Sequence, residues 1–497
     1  MSTTTTNDFP ATKESPLSGS AASSFDGEGK ALQFSAEEER AVVRKIDWAL
    51  LPGLTLLYLL SFLDRSNVGN AKLYGMLTDI GVTDASVYNT SLALYFIGYC
   101  LFEVPANLIL KRFNPKVWLP TLTVVWGIVA TLQGIVKDEA GFLVARTFMG
   151  IAEAGLFPGC IFVISMYYKR NERHWRVAVF FGGAALAGAF GGVLSWAIGH
   201  IHAGGLGQWA WIFIIEGIFT VLVGLTAYFW VPGYPLDAKF LNQREKDILI
   251  ARLTADSDSG DKEPFSWAGV RAAFKDHLVI SYALLFHAFA FPLYTLSLFL
   301  PTIIAGLGYA SWQAQLLTTP PYAVAFLAIL LFAWGSHVQN RRGLYVILGG
   351  AVALVGYVVL LSTHTAGARY AGIFITVVGI YPANALLLSW PSENVSPQTK
   401  RATSTAIQIF IGDFGAVTGV LIYRPSLNAN FFRTPHIIAI GYTVLGMLIA
   451  AYLWIYMARE NDRRAAIREQ SGKQEAEVVE AGGRRLGDKH VAYVYQL

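Results

Sequence analysis

Apolar and polar positions fall in long blocks along this chain rather than in short alternation. Twelve apolar blocks can be drawn. The first six lie at roughly 47–64, 88–110, 117–136, 141–168, 176–200 and 209–231. The second six lie at roughly 277–304, 313–336, 344–362, 368–391, 403–423 and 435–458. Blocks of about 20 apolar residues match the length an α-helix needs to cross a hydrocarbon core about 30 Å thick. Inside that core every backbone polar group must be satisfied within the segment, which a helix does and a lone strand does not. One long internal polar stretch, 232–276, divides the blocks into six and six.

The pattern therefore predicts an all-α polytopic membrane protein with twelve transmembrane helices in two six-helix halves. The expected parts are an N-terminal tail, 1–46, a bundle over 47–231, a central loop over 232–276, a second bundle over 277–458 and a tail over 459–497. The Ser/Thr/Gly-rich start is expected to be largely disordered and carries no cleavable signal pattern. Phe34–Lys45, rich in Glu and basic residues, is expected to form a short amphipathic helix leading into the membrane. The central loop is expected to be solvated between about 254 and 263.

Charge adds an orientation. One set of loops holds Lys111, Arg112 and Lys116, then Lys169, Arg170, Arg173 and Arg176, then Arg341 and Arg342, then Lys400 and Arg401. The opposite loops hold only Lys72, Lys137, Arg369, Arg424 and Arg433. The richer set belongs in the cytosol, together with both termini and the central loop. Composition agrees: 54% of the 497 residues are hydrophobic and only 14% are charged, which is too apolar for a soluble chain of this size. A net charge of +4 says little about partners, and no nucleic-acid partner is expected. Cys100 and Cys160 both sit in apolar blocks, with no disulfide framework or metal spacing.

The candidate chemistry lies where charge interrupts the apolar blocks. Arg146 and Glu153 fall inside block four, seven residues apart. Each charge costs about 2.5–3.5 kcal/mol at the centre of a membrane helix. Seven steps of about 100° put both side chains on one face, about 10.5 Å apart along the axis. The functional reading is a proton or substrate site; the plain alternative is an ion-pair network that locks helices together. Block one ends in Asp64, Arg65, Asn67 and Asn70. Either Asp64 and Arg65 cap an interface, or Arg65 offers its planar fork of donors to a carboxylate while Asp64 balances its charge or carries a proton. Tyr95 in block two, and Asn384 and Trp390 in block ten, could line a substrate path. Glu103 is placed to neutralise Lys111 or Arg112. His287 and Tyr294 sit seven apart in block seven, and Asp413 lies in block eleven. No nucleotide, metal or hydrolase motif occurs in its required context, so an enzyme is not expected.

Four stretches carry a resemblance. They are Phe62-Leu-Asp-Arg-Ser-Asn-Val-Gly-Asn-Ala-Lys72; Phe102-Glu-Val-Pro-Ala-Asn-Leu-Ile-Leu-Lys111; Arg146 with Glu153-Ala-Gly-Leu-Phe-Pro-Gly159; and Gly487-Asp-Lys-His-Val-Ala-Tyr-Val-Tyr-Gln-Leu497. Together they resemble the major facilitator superfamily, and within it the anion:cation symporters of the fungal allantoate-permease-like branch. The last stretch departs from that branch in having Val491 and Ala492 after the histidine. The resemblance implies the major facilitator fold and proton-coupled uptake of a small organic anion, such as allantoate, nicotinate or pantothenate. It implies that Asp64, Arg65, Arg146 and Glu153 form the proton and carboxylate machinery, and that Tyr95 and Trp390 serve the substrate. Joined to the reading of the residues, Asp64, Arg146 and Glu153 are the candidates for proton coupling, and Arg65, Asn67, Tyr95, Trp390 and Asn384 those for the substrate. The expected energy source is the proton gradient, with no cofactor. The expected setting is a monomer, multi-pass in the plasma membrane. Two alternatives stay open: an exporter of an acidic metabolite on the same fold, and a non-transporting nutrient sensor.

Overall fold

The computed structural model describes residues 24–25, 31–32, 34–201, 203–255, 266–491 and 493–497. Apart from a two-residue antiparallel pairing near the start, these residues build helices and their connections. The first half comprises α1 (Ala36–Leu73), α2 (Met76–Asp79), α3 (Ser86–Arg112), α4 (Pro115–Gln133), α5 (Glu139–Glu153), α6 (Leu156–Tyr167), α7 (Arg170–Ile198) and α8 (Gln208–Trp230). The central stretch holds α9 (Gln243–Ala255) and α10 (Trp267–Phe274). The second half comprises α11 (His277–Ala305), α12 (Ser311–Gln339), α13 (Arg342–Ser362), α14 (Ala366–Asn394), α15 (Gln398–Ile422) and α16 (Arg433–Leu486).

Each of the twelve predicted blocks is helical. Among the described residues, eleven helices are long and apolar enough to cross a membrane. The remaining block is α3, whose 27 residues span about 40 Å at 1.5 Å per residue. Helices of the first half pack on one another, as do those of the second. The halves meet where α7 lies against α12 and α14, α3 against α15, and α1 against α11.

Two elements differ from expectation. The short helix foreseen over 34–45 and block one are a single helix, α1. A capping box starts it: Ser35 Oγ accepts from the Glu38 amide at 3.1 Å, and Glu38 accepts from the Ser35 amide at 2.9 Å. α1 then continues past Asp64 to Leu73, because residues 64–71 are buried in the bundle and not at an interface. Block four is broken in two at Ala154–Gly155, immediately after Glu153. A Cβ on Gly155 would meet Ala106 and Leu122 at 2.9 Å, so the turn is held against neighbouring helices. The central stretch also packs on the bundle. Ile248 and Leu249 of α9 are buried, and Arg252 reaches Glu39 of α1 at 3.1 Å and Glu172 of α7 at 2.5 Å. The part expected to be solvated, 254–263, lies almost wholly outside the described residues, as does most of the N-terminal tail.

Both described ends of the chain lie at one face of the bundle. There the last residues fold back onto the second half. Lys400 holds Asp276 at 2.5 Å and Asp488 at 2.6 Å. Tyr493 donates to the Glu393 carbonyl at 2.9 Å, and Asn394 exchanges hydrogen bonds with the Gln496 backbone at 2.7 and 2.9 Å. The Arg342 amide donates to the Leu497 carbonyl.

Candidate functional site

Consecutive residues on a helix point about 100° apart, and α1 uses this to separate its two adjacent charges. Asp64 turns into the first half, where it accepts from Trp126 Nε1 at 3.0 Å and Thr220 Oγ1 at 2.9 Å. Asn67, nearly one turn on, donates to Glu216 of α8 at 2.5 Å. Arg65 turns the other way, towards the junction of the halves. Its Nη2 lies 2.5 Å from Glu153 Oε1, and its Nη1 donates to Tyr294 of α11 at 3.1 Å.

Glu153 is the centre of this second set. Besides Arg65 it accepts from Tyr95 at 2.6 Å and from Ser61, one turn before Arg65 on α1. The Arg65 guanidinium is also ringed by aromatic faces, with centroids of Tyr95 at 5.3 Å, Tyr99 at 5.4 Å and Tyr294 at 5.6 Å. The close fit of α3 on α5 depends on Gly150, where a Cβ would sit 2.0 Å from the Tyr95 carbonyl oxygen. That approach is what brings the Tyr95 hydroxyl to Glu153. Ser61, Arg65, Tyr95 and Glu153 are all at most 3% exposed, so the set is sealed from solvent.

Arg146 stands beside this set without joining it. Its guanidinium lies 4.9 Å from the Tyr95 ring centroid, on the ring's face. Its residue is fully buried, and Nε, Nη1 and Nη2 all lack a hydrogen-bond partner among the described residues. The shared face with Glu153 is real, but the carboxylate's bonds go to Arg65, Ser61 and Tyr95. A buried, unpaired charge costs several kcal/mol. A ligand that brings an anion would remove that cost.

The other expected residues are placed elsewhere. Asn384 donates to the backbone carbonyls of Ile380 at 2.9 Å and Phe289 at 3.3 Å, which ties α14 to α11. Trp390 is buried at the face that carries the chain ends, where its indole donates to the Gln496 carbonyl at 3.0 Å. Trp390 is therefore a support of the terminal segment and not a neighbour of Glu153. Glu103 is 1% exposed, and both its carboxylate oxygens lack a hydrogen-bond partner among the described residues. It is turned into the bundle instead of neutralising the basic turn. His287 Nδ1 bonds the Ile411 carbonyl at 2.9 Å, a packing role.

Sequence reasoning did not single out Ser61, Trp126 or Glu216. Glu216 carried a signal, since it is an acid inside an apolar block and is subject to the same cost argument as Glu153. Ser61 and Trp126 carried none, because either residue type is ordinary in a membrane helix.

The halves are bridged at both ends of their junction. At one end Asn89 of α3 donates to the carbonyls of Val420 of α15 and of Tyr423, the residue after that helix. At the other, His174 of α7 and His337 of α12 share a hydrogen bond at 2.9 Å, and His174 lies 3.8 Å from Glu393 of α14.

Residues 54–420 match the Major Facilitator Superfamily as a family. The chain belongs to that superfamily. Among relatives, it is 36% identical over 450 residues to the MFS-type transporter cnsO of Penicillium expansum, which covers 87% of this chain and 86% of that one. It is 31% identical over 468 residues to the major facilitator-type transporter hxnP of Emericella nidulans, covering 93% and 94%. Among solved structures, a bacterial homologue of the human lysosomal transporter Spinster, in an inward-facing and occupied conformation, superposes with a TM-score of 0.60. That match covers 84% of this chain and 97% of the other at 17% identity, so it speaks for the fold alone. The chain is thus a multi-pass membrane transporter of the major facilitator fold.

Proposed function

We propose that this transporter is a proton-coupled symporter of a small organic anion, of the anion:cation type and the allantoate-permease-like branch. The observation that carries the reading is the contrast between two buried arginines. Arg65 has its carboxylate, Glu153, whereas Arg146 has no hydrogen-bonding partner among the described residues. An incoming carboxylate fits the vacant fork of Arg146, which can give two parallel charge-assisted bonds.

The same arrangement links the anion to a proton. Protonating Glu153 removes the charge that balances Arg65. Breaking a buried pair in this way costs about 3–5 kcal/mol. A substrate carboxylate bound between the two arginines offsets that cost, because it then faces Arg65 as well as Arg146. Proton and anion therefore favour each other's binding, and such a coupling is reciprocal. Transport follows if the loaded centre opens first at the Asn89 end and then at the His174–His337 end, with the halves rocking about the site between them. Asp64, held by Trp126 and Thr220 in the first half, is the second carboxylate available to a proton. The basic loops support a cytosolic setting for the His174–His337 end, and the plasma membrane is the setting in which an inward proton gradient would drive uptake.

Uptake of a panel of labelled carboxylates into transporter-deficient fungal cells, at acid and at neutral external pH, tests this. At least one carboxylate should accumulate, faster at acid pH, and Arg146→Gln should abolish the gain. Accumulation that ignores pH, or that survives Arg146→Gln at equal surface expression, would refute the reading.

A further inference from the structure

A second unsatisfied charge lies on the same strip of α3 that carries Tyr95. Tyr95, Tyr99 and Glu103 recur every four residues and are all buried, so they share one helix face. The strip runs from the Tyr95 ring, which faces Arg146, to Glu103, about 12 Å further along the axis. Glu103 is 1% exposed, and neither carboxylate oxygen has a hydrogen-bond partner among the described residues. Asp413 approaches from α15, across the junction of the halves. It is 2% exposed, forms no salt bridge among the described residues, and lies within electrostatic range of both Glu103 and Arg65.

Opposite ends of one aromatic strip thus carry unanswered charges of opposite sign. At one end are three guanidinium nitrogens without an acceptor; at the other is Glu103, whose oxygens have no donor among the described residues, beside Asp413, which shares Arg65 with Glu153. Neither observation depends on the other. A simple organic anion would answer only the first and would leave Glu103 and Asp413 buried without a donor. A dicarboxylate would set a third carboxylate against them.

Resting on the symporter reading above, we infer that the substrate is dipolar. Its carboxylate is taken by Arg146, and a cationic group, such as an ammonium or guanidinium end, is taken by Glu103 and Asp413. The aromatic faces of Tyr95 and Tyr99 lie along the length between them. The pair sits on both halves, α3 and α15, so a bound donor also ties the halves together at the centre.

The test uses the purified full-length protein in detergent, with tryptophan fluorescence as the binding signal. The probes are hexanoate, adipate and 6-aminohexanoate, with 4-aminobutyrate and 8-aminooctanoate to vary the length. The ω-amino acid of fitting length should bind at least about tenfold more tightly than hexanoate, and adipate should bind worst, since a charge-assisted bond to a buried carboxylate is worth about that factor. Glu103→Gln should shrink the preference for the amino end to below about threefold. Asp413→Asn should shrink it too, which keeps the test open should one variant fail to fold. If all the carboxylates bind alike, in an Arg146-dependent manner, the dipolar inference falls and the symporter reading stands. If adipate binds best, the pair is protonated and takes no donor, with the same consequence. If no carboxylate binds, or binding ignores Arg146→Gln, both fall together.

Discussion

Two buried ionic clusters in this protein are both built from basic and acidic side chains and end in opposite states. At the face that carries the chain ends, Lys400 meets two carboxylates, Asp276 at 2.5 Å and Asp488 at 2.6 Å. Around it the terminal segment fills the remaining donors and acceptors: Arg464 donates to the Tyr493 carbonyl at 2.8 Å, and Tyr495 to the Asp488 carbonyl at 3.0 Å. At the centre, Arg65 and Glu153 are paired, but Arg146 beside them is not. The difference teaches how to tell a lock from a site. Burial and charge alone do not, since both clusters have both. Completion does: a cluster whose valences are met by the chain holds the fold, and one with a valence left over waits for something from outside.

The largest effect should fall on the completed cluster, and on stability alone. Lys400→Met leaves Asp276 and Asp488 buried without a cation, which should cost about 3–5 kcal/mol. A clear fall in melting temperature in detergent is expected, with uptake per folded molecule retained. Intact stability with lost uptake would erase the distinction between the clusters. Next comes Arg146→Gln, which should lower uptake efficiency about 100-fold, or about 2.7 kcal/mol, because the carboxylate loses its charged partner. Its melting temperature should not fall, since an unpaired buried charge is removed; a large fall would show that Arg146 is part of a lock. Arg65→Lys should cost about tenfold in uptake at equal surface expression, because lysine keeps the charge but loses the planar fork that spans Glu153 and Tyr294. Wild-type uptake would rule out a role for the fork. The smallest effect is expected for Tyr493→Phe, which deletes one hydrogen bond to the Glu393 carbonyl and should cost about 1 kcal/mol of stability.

Much of the fold was legible because the bilayer imposes a coarse rule, and a helix in lipid announces itself by length and apolarity. The site was legible in part. The cost of a charge in an apolar block pointed to Arg146, Glu153, Asp64 and Arg65 without any structure. Which of them would pair was not legible, because partner choice is decided across helices. Helical spacing put Arg146 and Glu153 on one face, yet Glu153 took Arg65 from α1, with Ser61 and Tyr95 completing its set. Asp64 and Arg65 looked like one unit because they are adjacent, and the helix turned them in different directions. Trp390 looked like a path residue by its place in an apolar block. Its indole is instead spent on Gln496, over a hundred residues away in sequence. The break after Glu153 was foreshadowed by Gly155 and Pro158, but glycine and proline are common enough in membrane helices that neither marks a break by itself.

The central claim is that Glu153, released from Arg65 by a proton, couples that proton to the anion at Arg146. It is tested most directly by Glu153→Gln, which mimics the protonated form, reconstituted in proteoliposomes. The probe is the labelled carboxylate identified by the uptake panel, measured once as exchange against the same unlabelled carboxylate inside and once as accumulation driven by an imposed pH gradient. The account predicts exchange within about threefold of wild type and no pH-driven accumulation, since the anion can still bind and cross while the proton has lost its carrier. Normal pH-driven accumulation in Glu153→Gln would contradict it, and its loss in Asp64→Asn instead would move the proton to the Trp126–Thr220 cluster.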